Sequence, residues 1–237
     1  MTTYIKKYSD FIGDEIKKKS SPVNSHVEDP TKDIKIVNST NDTIKEDVKN
    51  AISKYGNECD LNFIDVSNVT NMDNLFYGLD FNGDISKWDV SKVKSMSCMF
   101  YESAFNGDIS KWDTSSVEDM SYMFWKSEFN NNISNWDVSN VRFFSCTFAY
   151  SKFNGDISKW NMSGCNFTNG MFMESKFNQD ISKWDVSNVR HFSVMFKGSD
   201  FNQDISKWDV SSGENMRCMF SESKFNQDIS KWNVENA

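Results

Sequence analysis

The chain has 237 residues, a mean hydropathy of -0.62 and a formal net charge of -8 at pH 7. The excess of negative charge lies after position 58, where the chain has 24 acidic and 16 basic side chains. An acidic surface disfavours nucleic acid and anionic membrane as partners. The N-terminus lacks an apolar run of signal-peptide type, and no segment reaches membrane-spanning length. These features favour a cytoplasmic or virion-associated protein.

The first 33 residues are predicted to form two segments. Residues 1–21 have the pattern of an amphipathic helix, whose apolar face consists of Tyr4, Ile5, Tyr8, Phe11, Ile12 and Ile16. This helix either docks on the rest of the chain or binds another protein or a larger assembly. Residues 22–33 contain both prolines of the chain and are predicted to be a linker.

Residues 34–59 are predicted to cap the repeats that follow. Ile34, Ile36 and Val37 form a strand candidate. The stretch TNDTIKEDVKNAISKYG, residues 40–56, predicts a helix with Asn41 or Asp42 as N-cap and Gly56 as its stop. Its apolar stripe consists of Ile44, Val48, Ala51, Ile52 and Tyr55. We expect this stripe to cover the open core of the first repeat.

Residues 60–237 consist of tandem repeats of 24 residues. The stretch at residues 81–100, FNGDISKWDVSKVKSMSCMF, returns without insertion at Phe105, Phe129, Phe153, Phe177, Phe201 and Phe225. A degenerate copy precedes it at residues 60–76. A fixed period of this size predicts a solenoid, because one such unit cannot bury its apolar face alone.

Each coil is predicted to contain one short strand. Between residues 87 and 91 apolar and polar side chains alternate, with Trp88 and Val90 inward. The strands of successive coils would then stack as a parallel sheet, and residues 93–101 would return as turns or a short helix. The spacing I-x-x-W-x-V-x-x-V-x-x-M also matches that of leucine-rich repeats, with Trp and Met in place of Leu.

Two columns of the repeat are predicted to build the fold. The tryptophans form one file, Trp88, Trp112, Trp136, Trp160, Trp184, Trp208 and Trp232. A buried Trp removes roughly 200 Å² from water, which is worth about 5 kcal/mol before entropy. The asparagines form a ladder, Asn82, Asn106, Asn130, Asn154, Asn178, Asn202 and Asn226. We expect their amides to pair with backbone groups at the corner of each coil.

The repeat pattern FNxDISKWDVSNVxxMxxMF resembles the BspA-like leucine-rich-repeat surface proteins, in the branch with Mycoplasma-type lipoprotein repeats. The resemblance covers about residues 34–234, and residues 177–189 fit it best. It implies a right-handed leucine-rich-repeat-like solenoid that serves as a non-catalytic scaffold for protein interaction or adhesion, typically at a cell surface. The chain lacks the family's signal peptide, lipobox and wall anchor. An alternative is therefore a structural or accessory component of a viral or phage particle, anchored by its N-terminal segment.

Recurring aspartates raise a further alternative, a metal- or carbohydrate-binding surface protein. One file begins at Asp84 and another at Asp89. Calcium between coils would relieve the repulsion of like charges, but serine and backbone donors at turns would do so too. The glycine-rich nonapeptides typical of calcium-binding solenoids are missing, which favours the turn role. Because the acids keep the repeat symmetry, we predict no enzyme, no cofactor and no metal site.

Protein-binding residues are expected where the copies differ. The column of Tyr77, Tyr101 and Trp125 is aromatic in three successive coils, and Tyr122 and Tyr150 lie near it in the pattern. Exposed Tyr and Trp give large contact areas at low entropic cost, so these five are the predicted protein contacts. Phe143 and Phe167 are expected instead to pack along the edge of the coils.

The last coil is predicted to contact a second copy of the chain. Trp232 and Val234 would otherwise leave an apolar end and an unpaired backbone edge. An end-to-end homodimer would cover them.

Overall fold

A computed structural model describes residues 36–237. Within this range the chain contains strand β1 (Val37–Asn38), helix α1 (Ile44–Tyr55) and strand β2 (Ile64–Asp65), and the other residues lie mainly in turns and irregular segments. β1 and β2 form a small open parallel sheet, with Val37 opposite Ile64. The predicted N-terminal helix and linker, and Ile34 of the strand candidate, lie outside the described residues.

Helix α1 packs on the first repeat through one face. Its side chains Ile44, Val48 and Ala51 are buried in the same core cluster as the repeats. The expected cap is wrong in detail, because the N-cap is Thr43. The side chain of Asn41 instead exchanges hydrogen bonds of 2.8 Å with the backbone N–H and the hydroxyl of Thr70. These two bonds tie the start of α1 to the repeat beneath it.

Successive repeats lie side by side in register. Along the phenylalanine file from Phe81 to Phe225, ring centroids are 6.1–6.3 Å apart and the planes lie within 11° of each other. Each ring therefore contacts its equivalent in the next repeat. A single apolar core, made of the inward residues of every coil, runs from α1 to Met219.

The predicted strand at residues 87–91 is wrong. Two of its backbone donors are used inside the coil, and the first is the N–H of Trp88, which bonds to the carbonyl of Ile85 at 3.2 Å. The N–H of Ser91 bonds to Asp89 Oδ1 at 3.1 Å. Local turns thus take the donors that a strand would offer to its neighbour.

The backbone ladder between coils lies instead on the return side. The N–H groups of Met96, Cys98, Phe100 and Glu102 donate to carbonyls of the next coil at 2.8–3.0 Å. Single parallel bridges mark this line, beginning with Asn71 to Ser95. The ladder does not make continuous strands, because every coil interrupts it with overlapping turns.

Two positions of each ladder segment have positive φ. One column contains Asn74, Cys98, Tyr122, Cys146, Gly170, Val194 and Cys218, with φ between 51° and 64°. The other contains Gly78, Glu102, Lys126, Tyr150, Glu174, Gly198 and Glu222, with φ between 50° and 66°. A positive φ at the third residue is what a type II turn requires. The result is a loop-rich repeat protein.

Candidate interaction surface

The exposed part of each coil divides into two segments. The recurring segment comprises residues 82–92 and their equivalents, which repeat nearly unchanged. The variable segment comprises residues 94–104 and their equivalents, where charge and size change from coil to coil. This division separates the residues that build the coil from those that distinguish one coil from the next.

The asparagines of the recurring segment bond to one another across the coils. The Oδ1 of Asn82 accepts the backbone N–H of Asn106 at 2.7 Å. The same bond of 2.8–2.9 Å continues coil by coil to Asn226. Each amide oxygen thus satisfies a backbone donor at the corner, so these side chains serve the fold.

The recurring aspartates are held by serines two residues later. Asp84 Oδ1 accepts the backbone N–H of Ser86 at 2.8 Å, and Asp89 Oδ1 accepts both the N–H and the hydroxyl of Ser91. The two serine bonds hold the pKa of Asp89 below its ordinary value. Within residues 36–237, His, Cys, Asp and Glu side chains do not gather in a group of three able to hold a metal ion.

Four of the predicted contact residues form one aromatic group, the tyrosine stack, which consists of Tyr77, Tyr101, Trp125 and Tyr150. The ring of Tyr101 lies between Tyr77, at 4.5 Å, and Trp125, at 4.3 Å, with all three planes nearly parallel. Tyr150 continues the stack edge-on to Trp125 at 5.4 Å. Lys126 lies over the Trp125 ring at 5.7 Å. The structure thus brings together four of the five predicted residues.

Exposure differs sharply within the tyrosine stack. Tyr150 is 46% exposed, whereas Tyr101 is only 8% exposed. The expectation that Tyr101 is exposed is wrong, because its neighbours cover both faces of its ring. Contact of these five residues with a partner stays a prediction. Burial raises the pKa of Tyr101, and that of Tyr122 to about 12. Tyr77, Trp125 and Tyr122 are half-buried.

A second aromatic stack, partly exposed, contains Phe143 and Phe167, for which the sequence predicts packing along the edge of the coils. Phe143 stacks on Phe167 at 5.1 Å, and Phe167 stacks on His191 at 4.8 Å. Phe143 therefore packs on its neighbour as expected, but 38% of it stays exposed. The sequence feature that could have indicated this surface is the variability of the column that contains Phe143 and Phe167. It holds Asn71, Ser95, Asp119, Phe143, Phe167, His191 and Asn215.

The predicted dimer residues lie at the end of the stacked coils. Trp232 is half-buried and stacks on Trp208 at 6.4 Å, while Val234 is 50% exposed. Contact of these two residues with a second copy stays a prediction.

Comparison with known proteins identifies the repeats. The model of the family described as "Mycoplasma protein of unknown function, DUF285" matches twice, over residues 46–160 and 145–237. The chain belongs to this family. Comparison with curated proteins gave no match, and comparison with solved structures gave none either.

The two family matches begin inside α1 and together reach the last residue of the chain. They therefore include both aromatic stacks. Helix α1, the one helix within residues 36–237, is too short and too polar to cross a membrane.

Proposed function

We propose that this chain is a non-catalytic protein-interaction scaffold, built as a right-handed leucine-rich-repeat-like solenoid of the BspA-like type. The recurrence of ring contacts and backbone bonds from one repeat to the next supports a solenoid. Adhesion at a cell surface is the form of this function that the family resemblance implies.

The distribution of variation carries the proposal. The polar side chains of the recurring segment form hydrogen bonds within the chain, as in the asparagine ladder and the aspartate–serine turns. The variable segment instead presents partly exposed aromatic residues, among them Tyr150 and Phe143. A scaffold needs constant residues for its coils and differing residues for its partner, and the chain divides its residues in this way.

Site-specific photocrosslinking tests the proposal. Tyr150 is replaced by a benzophenone amino acid in the full chain, which is then irradiated in an extract of cells that express it. Lys159, exposed in the recurring segment of a nearby coil, receives the same group as the control. We expect a discrete protein adduct from position 150 and none from position 159.

The adduct is identified by mass spectrometry. Equal crosslinking at both positions would contradict the proposal, since a specific partner should contact only the variable segment. The absence of any adduct at position 150 would contradict it as well.

A further inference from the structure

All three arginines of the chain lie in the variable segment around the second aromatic stack. Arg142 and Arg190 immediately precede Phe143 and His191 in sequence. Arg217 lies two residues beyond Asn215, whose backbone pairs with that of His191. The chain uses lysine at its other 23 basic positions. We call the group Arg142, Phe143, Phe167, Arg190, His191 and Arg217 the arginine–aromatic patch.

The fold does not require these side chains. The column that holds Phe143 and Phe167 has Ser95 in one coil and Asp119 in the next, with the same backbone bridges. A polar residue is therefore sufficient for the ladder. Because Phe143 is 38% exposed, part of its apolar surface lies in water. Contact with a partner would bury this surface and so stabilise the complex.

The stacking direction makes the patch attractive to anions. Because Phe143, Phe167 and His191 lie face to face, each ring turns its edge away from the stack. The edge of an aromatic ring is the positive end of its quadrupole. The guanidinium groups carried by the residues next to this stack in sequence and in backbone pairing add formal positive charge, and they offer paired donors suited to carboxylates.

The neighbouring acids neutralise only part of this charge. Arg190 forms an exposed ion pair with Glu214 at 3.6 Å. Glu118 pairs with Lys94 at 3.5 Å, and Asp119 accepts the N–H of Ser121. Among the described residues, Arg142 and Arg217 have no ion-pair partner. Two guanidinium groups therefore remain available to an acidic ligand.

We propose that the arginine–aromatic patch docks an acidic peptide segment of a partner protein, one that combines Asp or Glu with an apolar side chain. The inference rests on the proposed scaffold function and names its partner class. Buried Arg and aromatic residues carry much of the energy of protein interfaces, which suits this composition. The excess of acids on the repeats repels any anion, but it acts most strongly against a nucleic acid, which carries a phosphate at every nucleotide, and less against a peptide with a few carboxylates and an apolar side chain.

The experiment is a selection of random peptides displayed on phage, with the full chain as bait. Two triple variants accompany it, each with three charges removed. R142Q/R190Q/R217Q neutralises the patch, and K159Q/K183Q/K207Q neutralises exposed lysines of the recurring segment. Enriched peptides are synthesised with a fluorescent label and titrated by polarisation, alongside labelled oligothymidylate. Circular dichroism checks that every variant is folded.

We expect the enriched peptides to be rich in Asp and Glu. Their affinity should fall at least about tenfold in the arginine variant and by less than about twofold in the lysine variant. Phe143→Ser, which copies the residue of an earlier coil, should also weaken binding because it removes the exposed ring. Peptides without acidic enrichment, equal losses in both variants, the absence of enriched peptides or preferential binding of oligothymidylate would overturn the inference.

The two proposals fail separately. If the adduct formed at position 150 survives in R142Q/R190Q/R217Q while no acidic peptide depends on the arginines, the scaffold function stands and the acidic-partner inference falls. If position 150 gives no adduct while acidic peptides still bind through the arginines, the contact predicted at Tyr150 falls and the arginine–aromatic patch stands as the peptide-binding surface.

Discussion

The indole Nε1 of Trp112 donates a hydrogen bond to the carbonyl of Ile85, 27 residues earlier, at 3.2 Å. The same bond recurs from Trp88 to Trp232 with distances of 3.0–3.2 Å. Each Trp thus fills the core of its own coil and bonds to the backbone of the preceding one. The one polar atom of the side chain is satisfied in the interior, which is why a large aromatic residue fits every coil.

Replacing a central tryptophan should weaken the whole array. Trp136→Phe removes the bond to Ile109 and leaves unfilled volume in a site that is 3% exposed. We expect a loss of roughly 2–3 kcal/mol in the free energy of unfolding, measured by urea denaturation. Trp232→Phe is the matched control, because the same bond there lies in a half-buried site. Its loss should be smaller, and equal losses would contradict this explanation.

Val194 is the β-branched residue in the positive-φ column, at φ 51°. A branched side chain is strained in this region, whereas Asn tolerates it and already occupies the column at Asn74. We expect Val194→Asn to raise the free energy of unfolding by about 1 kcal/mol. The measurement is the denaturation midpoint.

Gly170 provides the opposite test in the same column. Its φ is 64°, and an added Cβ would lie 2.8 Å from Cys146 Sγ. Gly170→Ala should therefore lower the free energy of unfolding by about 1–2 kcal/mol. If Val194→Asn destabilises the protein, or if Gly170→Ala leaves it unchanged, backbone strain does not govern this column.

Acid should destabilise the repeats through their aspartate turns. Serine donors lower the pKa of Asp89, Asp137 and Asp209 in the folded chain. A carboxyl with a lowered pKa contributes stability above its unfolded pKa of about 4, and this contribution is lost as the pH falls through the folded value. The urea midpoint should therefore stay level down to about pH 5 and drop towards pH 3.

The control for this pH dependence is D89N/D137N/D209N. Asparagine serves the same turn in the native chain, where Asn161 Oδ1 accepts the N–H of Ser163 at 3.1 Å. The triple variant should show a shallower decline below about pH 5, since three titrating groups are gone. An unchanged decline would assign the acid sensitivity to other carboxyl groups.

The five cysteines should differ widely in reactivity. Burial raises the pKa of Cys146 to about 11 and of Cys165 to about 12, and the thiolate is the reactive form. Cys218 is exposed. Ellman's reagent should therefore label one thiol rapidly in the native protein and all five in denaturant. Cys218→Ser should abolish the rapid phase, and its persistence would mean that the buried thiols are reached by local opening.

The repeat period, the inward residues and the helix before the first repeat could all be predicted from the sequence. The first two follow from side chains that recur in every copy of the repeat, since large apolar residues such as Phe81 and Trp88 are stable only when they are buried. The helix follows from the apolar stripe of α1, which must also be buried. The sequence could not decide where the ladder between coils runs. Alternation at residues 87–91 is compatible with a strand, but it is equally compatible with the turns in which Asp89 takes the N–H of Ser91.

The choice between these two uses of the backbone depends on how the coils pack on one another. The donors at positions 96, 98, 100 and 102 find their acceptors in the following coil, a pairing that depends on how neighbouring coils are placed. The same placement buried Tyr101 between two rings and left Phe143 partly in water, although both are aromatic residues in variable columns. The exposure of a side chain depends on the residues that adjacent coils place beside it, and the sequence of a single coil does not contain those residues.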